Sequence, residues 1–330
     1  MIILKYLLLT AVLSAPIPLF GTAAAKAGEK AAFFAEQALL AAKTVVAGKP
    51  AKSTLRVMTY NVEKLKELDK VIETIHVTNS DLVVMQEVTA KESQVLADKM
   101  AAEGYLHKSE CMNMRSGGMI GNTIFSKHPI IHSNTYSMMD PYGNRCVVEA
   151  IVQVGGQQVL AVGTHLTNAG GGYREAQLQQ LTKLSQFRAK EGFIDQVFLG
   201  DMNTEKSTVA KHTNGLIDSF GEAVRTKTQW RGKAIDHVLL SDSMAKQSTI
   251  SSTVIHSDAS DHLPIMTDIT PNGPIDSRVY PKTIERADGV FGDAKIDPFT
   301  QKVQNVAFGV AAASSIIGVT VALTSPPAPQ

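Results

Sequence analysis

Residues 196–203 read Gln-Val-Phe-Leu-Gly-Asp-Met-Asn: a short apolar run, a glycine, then a carboxylate and an amide two positions apart. An apolar run of that length reads as a buried strand, and polar side chains just beyond a strand end are where a rigid scaffold places a site. Taken alone, Asp201 followed by Asn203 and Glu205 would serve as well to cap a short helix or start a turn, because such side chains bond nearby backbone N–H groups. Recurrence decides between the two. Thr59-Tyr60-Asn61, Met85-Gln86-Glu87, Gly163-Thr164-His165 and Ser260-Asp261-His262 stand at the borders of other apolar runs, and Ile235-Asp236-His237 lies inside one. Helix caps have no reason to repeat this combination of acid, amide and imidazole along one chain.

Outward from there, the chain alternates short strands with amphipathic helices. Strands are expected at Leu55 to Tyr60, Leu82 to Met85, Asn122 to Phe125, Cys146 to Val154, Gln158 to Gly163, Gln196 to Leu199, Ile235 to Leu240 and Leu263 to Ile269. Helices are expected at Leu65 to Val77 and at Tyr173 to Lys190, where Leu178, Leu181, Leu184 and Phe187 recur on one side. Gly155-Gly156 suits a tight hairpin turn that needs positive φ. No internal repeat is visible, so the economical solution is one α/β (α+β) domain, with two packed and largely antiparallel β-sheets flanked by helices.

The residues Thr-Tyr-Asn-Val at 59–62, Gln-Glu at 86–87, Gly-Asn-Thr-Ile-Phe-Ser at 121–126, Thr-His-Leu at 164–166, Gly-Asp-Met-Asn at 200–203, Ile-Asp-His at 235–237 and Ser-Asp-His at 260–262 resemble the endonuclease/exonuclease/phosphatase family in order and spacing. The resemblance covers residues 53–271; the ends, 1–50 and 271–330, have no counterpart in the shared domain. It implies a DNase I-like four-layer sandwich and a metal-dependent phosphoric ester hydrolase. It also implies roles. Asp201 would orient or deprotonate the attacking water, Asn203 would hold a nonbridging phosphate oxygen, and His262 would contact the scissile phosphate with Asp236 orienting it. His165 would protonate the leaving oxygen or bond the phosphate. Arg145 matches a position where some nuclease members carry a phosphate-binding arginine.

Phosphate-ester hydrolysis calls for a hard cation, an activated water and a stabilised leaving group. Mg²⁺ takes carboxylate, amide and water oxygens, which points to Glu87 as principal ligand, with Asn61 and Asp261 assisting and Mn²⁺ as the alternative ion. Neither cysteine stands near these segments in a zinc-type spacing. Tyr60 and His237 read as core and supporting residues, and His128 before Pro129 as part of a turn.

The 330-residue chain is 44% hydrophobic and 19% charged, ordinary for a globular protein, and its formal net charge of +1 supplies no global attraction for a polyanion. Lys127, Arg145, Arg174, Arg225 and Arg231 are scattered and form no basic stripe. Cys111 and Cys146 can form at most one bridge, and burial as two free thiols is the simpler expectation.

Residues 1–25 carry Lys5, an apolar run from Tyr6 to Phe20 and then Ala23-Ala24-Ala25, the pattern of a cleaved export signal. Residues 26–52 suit a helical linker. Residues 272–302 look like a polar connector interrupted by prolines, 303–323 meet the length of a membrane helix although rich in small residues, and 324–330 form a tail. The expected location is therefore the extracytoplasmic side, exported and with a candidate membrane tether. The expected function is a Mg²⁺-dependent phosphodiesterase, most specifically nuclease-like. Nucleic acid or phospholipid is the expected substrate partner, and no protein partner is implied. The alternatives are a sphingomyelinase-like or inositol-phosphate enzyme and, from another class, a noncatalytic phosphate-binding module; the completeness of the acid and histidine set argues against the last.

Overall fold

The computed structural model describes residues 54–291 apart from 116–117, 142, 144, 171, 224–225 and 274–283. The expected export signal, helical linker, candidate membrane helix and tail all lie outside the described residues. Among the described residues no helix is long and apolar enough to cross a membrane.

Twelve strands form two six-stranded sheets. In chain order they are β1 (Leu55–Asn61), β2 (Leu82–Thr89), β3 (His107–Arg115), β4 (Gly118–Ser126), β5 (Ile130–Met138), β6 (Arg145–Val154), β7 (Gln157–His165), β8 (Gln196–Asp201), β9 (Leu216–Asp218), β10 (Asp236–Ser241), β11 (Ser248–Val254) and β12 (Ile265–Pro271). The first sheet runs β11-β12-β1-β2-β4-β3 and the second β5-β6-β7-β8-β10-β9. Most neighbours are antiparallel. Each sheet also contains one parallel pair, β1 with β2 and β7 with β8, and a parallel pair needs a crossover connection. Helices α1 (Leu68–Thr78) and α3 (Tyr173–Lys190) supply the two crossovers. The smaller helices are α2 (Ser93–Ala102), α4 (Lys206–His212), α5 (Asp242–Gln247) and α6 (Asp288–Phe291).

Alternation along each strand divides the apolar side chains between three layers. Val57, Val84, Ile124, Val148, Ala161, Leu199 and Val238 fill the space between the sheets. Gly163 leaves no room for a side chain between the sheets, since a Cβ there would stand 2.7 Å from Val84 Cγ1. Val71 and Ile75 of α1 and Leu96 and Met100 of α2 cover the outer face of the first sheet. Leu178, Leu181 and Leu184 of α3 cover the second. Four layers result, helices outside and sheets inside.

Four findings depart from the sequence-based expectations. Cys111 on β3 and Cys146 on β6 form a disulfide in place of two free thiols, because the two sheets bring their Cα atoms to 6.1 Å. The helix expected from Leu65 begins at Leu68, after a tight left-handed turn over Glu63, Lys64 and Leu65 with φ of 45°, 61° and 57°. Residues 284–291, read as part of the connector, pack on the second sheet: Phe291 stacks on Tyr136 with ring centroids 4.5 Å apart, and the Ala287 N–H donates to the Tyr136 hydroxyl. The same sheet face holds a buried ion pair that no local pattern announces, Arg188 of α3 with Glu149 of β6, to which Tyr136 also donates at 2.6 Å.

Candidate active site

Both parallel pairs end on the same edge of the sandwich, and the site follows from that. Asn61 ends β1, Glu87 lies near the end of β2, His165 ends β7 and Asp201 ends β8. In the second sheet His165 pairs with Asp201 along the parallel ladder, while Asp201 also pairs with Asp236 at the start of antiparallel β10. His262 precedes β12, which runs antiparallel to β1 and so enters at this same edge. Carboxyl ends of parallel strands are the usual place for a ligand crevice in such sheets.

Asn61, Glu87, Arg145, His165, Asp201, Asn203, Asp261 and His262 line one open cleft of about 300 Å³. Asp236 does not line it. It lies behind His262, with its carboxylate oxygens 2.9 and 3.1 Å from Nδ1. The other face of the imidazole meets Asp201, whose Oδ2 is 3.8 Å from Nε2, and His165 Nε2 is 3.4 Å from the same oxygen. Asn61 Nδ2 donates to Asp201 Oδ2 at 3.1 Å, and the Asn203 N–H donates to Asp201 Oδ1 at 2.8 Å.

Local backbone features aim these groups. The ladder between β2 and β4 shifts register between Gln86 and Val88, so Glu87 occupies a bulge at φ 61° and is turned out of the pleat. Asn203, also left-handed at φ 51°, is held by its Nδ2 donating to Leu166 O at 2.9 Å, and Arg174 donates to its carbonyl at 2.8 Å. Gly200 is needed where it stands, because a Cβ there would lie 2.1 Å from Thr164 O on β7. Ser260 donates to Asn61 O at 2.7 Å and receives the His262 N–H at 3.1 Å, tying the Ser-Asp-His segment to β1.

The electrostatics follow from burial and crowding. Burial first, and then the charge of Asp236, push the Asp201 carboxyl up to about 7 against the pull of His262, the Asn203 N–H and Asn61. Burial draws the His262 imidazole down, but Asp236 and Asp201 outweigh it and lift its pKa to about 10.

The oxygens of Asn61, Glu63, Glu87 and Asp261 line this cleft, a donor set without sulfur that suits a hard divalent cation. Asp201, Asp236 and His262 also bring ligand atoms within 4.8 Å of one another. Their contacts are largely spoken for: Asp236 grips His262, and Asp201 receives Asn61 and Asn203. In the oxygen set Asn61 Oδ1 receives the Glu63 N–H, and the two Glu63 oxygens receive Lys66 and the Asp261 N–H, so Glu87 and Asp261 are the carboxylates best placed for a cation, and the buried trio suits proton chemistry.

The remaining sequence candidates, Arg145 apart, fall outside the cleft or behind it. Tyr60 bonds Ser257 Oγ at 2.8 Å in the core. His237 is buried between Asp218 and the Thr204 carbonyl, 2.7 and 2.9 Å from its ring nitrogens. His128 Nε2 lies 3.8 Å from Asp81. Arg145, which lines the cleft, is half-buried and bonded through Nε to Asp140 at 3.0 Å. Lys127 packs over the Tyr105 ring and Arg231 over Trp230, while Arg225 lies outside the described residues. Lining residues that the sequence did not single out are Glu63, Lys64, Lys66, Asn168 and Gln229. Glu63 to Lys66 directly follow the Asn61 motif, which is the one signal that could have pointed to them.

Two sheets back to back, with acid, amide and imidazole groups gathered on one edge, define the class of sandwich-fold hydrolases of phosphate esters. The chain belongs to the endonuclease/exonuclease/phosphatase family, whose model matches residues 58–262. Members of that family are hydrolases of phosphate esters and generally depend on divalent metal. No curated protein sequence matches the chain significantly. Solved structures share the fold. The human Nocturnin catalytic domain with bound sulfate is 20% identical, TM-score 0.57, over 67% of this chain and 94% of that one. TDP2 of D. rerio complexed with a single-strand DNA product is 19% identical, TM-score 0.54, over 66% and 99%. A mannosyl-6-phosphatase of Bacteroides thetaiotaomicron is 12% identical, TM-score 0.54, over 66% and 99%.

Proposed function

We propose that the chain is a Mg²⁺-dependent phosphodiesterase that cleaves its ester by in-line attack of water, with nuclease-like activity as its leading specific form. The observation that carries this reading is the arrangement of Asp201 and His262, two buried proton-handling groups 3.8 Å apart, beside the oxygen donors of Asn61, Glu87 and Asp261. When bound, the cation supplies charge neutralisation for the phosphate oxygens.

Each side chain has a distinct task in this reading. Asp201, whose affinity for a proton is raised, takes the proton of the attacking water as a general base suited to neutral pH. Asn203 and His262 hydrogen-bond the phosphate oxygens as negative charge accumulates there. Asp236 holds the His262 ring by Nδ1, so that Nε2 is presented to the phosphate. His165 hands a proton to the departing oxygen or bonds the phosphate, and Arg145 lends its guanidinium to the same anion.

The scattered basic residues favour a short or single-stranded ligand over a duplex gripped along a groove. The family spans DNA and sugar phosphates in the relatives named above, so fold does not choose between them. The disulfide between Cys111 and Cys146 supports an exported protein, since such bonds persist in oxidising compartments.

The test is hydrolysis by the full chain of plasmid DNA, single-stranded RNA, sphingomyelin and inositol phosphates with Mg²⁺. EDTA and His262→Ala serve as controls. Turnover lost in both controls supports the proposal; no turnover of any substrate by the folded, Mg²⁺-binding protein would favour a noncatalytic phosphate-binding module.

A further inference from the structure

Helix α3 is the crossover that leads from His165, at the end of β7, to β8 and Asp201, so its first turn starts on the side of the sandwich where the site lies. That turn carries Arg174 and Gln177, three residues apart and therefore on one face of the helix. Neither lines the cleft, and neither has a task in the reaction proposed above. Both are turned toward the backbone of neighbouring loops. Arg174 Nη1 donates to Asn203 O at 2.8 Å. Gln177, only 1% exposed, uses both ends of its amide: Oε1 accepts the Thr167 N–H at 2.8 Å, and Nε2 donates to Met139 O at 2.8 Å.

Each of these contacts falls on or beside a residue of the site. Asn203 is one such residue. Thr167 follows His165 by two positions, and Met139 precedes Asp140, whose carboxylate bonds Arg145 Nε at 3.0 Å. The loops after β7 and β8 are also tied to each other, because Asn203 Nδ2 donates to Leu166 O at 2.9 Å. These stretches lie beyond the ends of the strands, where no ladder holds the backbone, and a loop without such partners would carry unsatisfied groups. Asn203 depends on the bracing most, since its φ of 51° is a conformation that a residue other than glycine keeps only where its surroundings over-determine it.

We propose that the first turn of α3 is a brace that sets Asn203, His165 and Arg145 relative to one another, with Arg174 and Gln177 as positioning residues for the reaction. This rests on the phosphoesterase reading and adds two residues to its machinery. Arg174 fixes the turn that presents the Asn203 amide, and Gln177 couples the loop after His165 to the loop before Arg145. The single Gln177 amide joins two loops that are 28 residues apart in sequence, Met139 and Thr167. Displacement of a reacting group by about 1 Å can cost about 10²-fold in rate, which is why a brace outside the cleft bears on catalysis.

The experiment combines steady-state kinetics of the full chain, on whichever of plasmid DNA, single-stranded RNA, sphingomyelin and inositol phosphates it turns over, with hydrogen–deuterium exchange of the same proteins. The Arg174 side chain is 22% exposed, so Arg174→Met can be made without opening the core. It should lower kcat about 10–100-fold with KM within about threefold of the parent, and Arg174→Lys, which restores a donor, should recover most of the loss. Exchange should rise around Asn203 in Arg174→Met and around Met139 and Thr167 in Gln177→Met, while the far end of α3 stays protected. Where Gln177→Met fails to fold, Arg174→Met and Arg174→Lys carry the test. An unchanged kcat in Arg174→Met would overturn the brace. So would loop exchange equal to that of the parent, or a loss that Arg174→Lys does not recover and that comes with faster exchange along the whole of α3, which marks a merely structural role. A parent protein that turns over none of the four substrates would instead remove the phosphoesterase reading, and the catalytic sense of the brace with it.

Discussion

His262 Nδ1 lies 2.9 Å from Asp236 Oδ2, with Asp201 3.8 Å from the opposite ring nitrogen, so one imidazole is sandwiched between two buried carboxylates. The Asp236 contact fixes the ring's orientation, and an amide in its place would keep the shape and lose the charge. Asp236→Asn should therefore lower kcat by about 10²-fold while leaving the Mg²⁺ requirement near that of the parent. Steady-state kinetics across a Mg²⁺ titration check both parts.

The same sandwich sets a pH dependence in the metal-free protein. His262 has a folded pKa lifted to about 10 against an unfolded value of about 6.5, so its contribution to stability is fully present below about pH 6.5. That contribution is lost as pH rises through about 10. Histidine resonances followed by NMR in EDTA should show the His262 ring still protonated at pH 8, and a ring that titrates near 6.5 would contradict the assignment.

Glu87 stands in a bulge that turns it from the ladder toward the cleft, and it is the candidate principal ligand for the cation. Glu87→Gln should raise the Mg²⁺ concentration for half-maximal activity at least about tenfold, equivalent to roughly 1.4 kcal/mol. An unchanged Mg²⁺ dependence would move the cation to other residues.

The Cys111–Cys146 bridge closes a loop with a sequence separation of 35 residues and joins one sheet to the other. Chain-entropy arguments give such a loop about 3–4 kcal/mol of stabilisation. Denaturant unfolding of Cys111→Ser/Cys146→Ser should show a loss of that order, and the parent protein in strong reductant should approach it.

Gly163 faces the space between the sheets, with Val84 Cγ1 of the other sheet 2.7 Å and Val148 Cγ1 of its own sheet 3.1 Å from where a Cβ would fall. Gly163→Ala should destabilise by about 1–3 kcal/mol through overpacking, measured as a lowered midpoint of urea unfolding.

The strands legible in the sequence were the interior ones. β1, β2, β4, β6, β7, β8, β10 and β12 each have a neighbour on both sides and carry apolar runs that mark them. The four that gave no clear signal, β3, β5, β9 and β11, are the four sheet edges. An edge strand is paired on one side only, and sequences such as Ser-Thr-Ile-Ser-Ser-Thr-Val in β11 keep it polar. Its pairing is a tertiary fact.

For the site, the sequence by itself determined which residue types stand at strand ends and in what order, because burial of a strand imposes an apolar run that stops where solvent begins. It therefore supplied Asn61, Glu87, His165, Asp201, Asn203, Asp236, Asp261 and His262 as a set. The tertiary structure decided that six separate stretches share one edge, that Asp236 stands behind His262 and not in the cleft, and that Cys111 meets Cys146. These are contacts between residues distant along the chain. They depend on strand register and on how two sheets stack, which no local pattern of residues encodes.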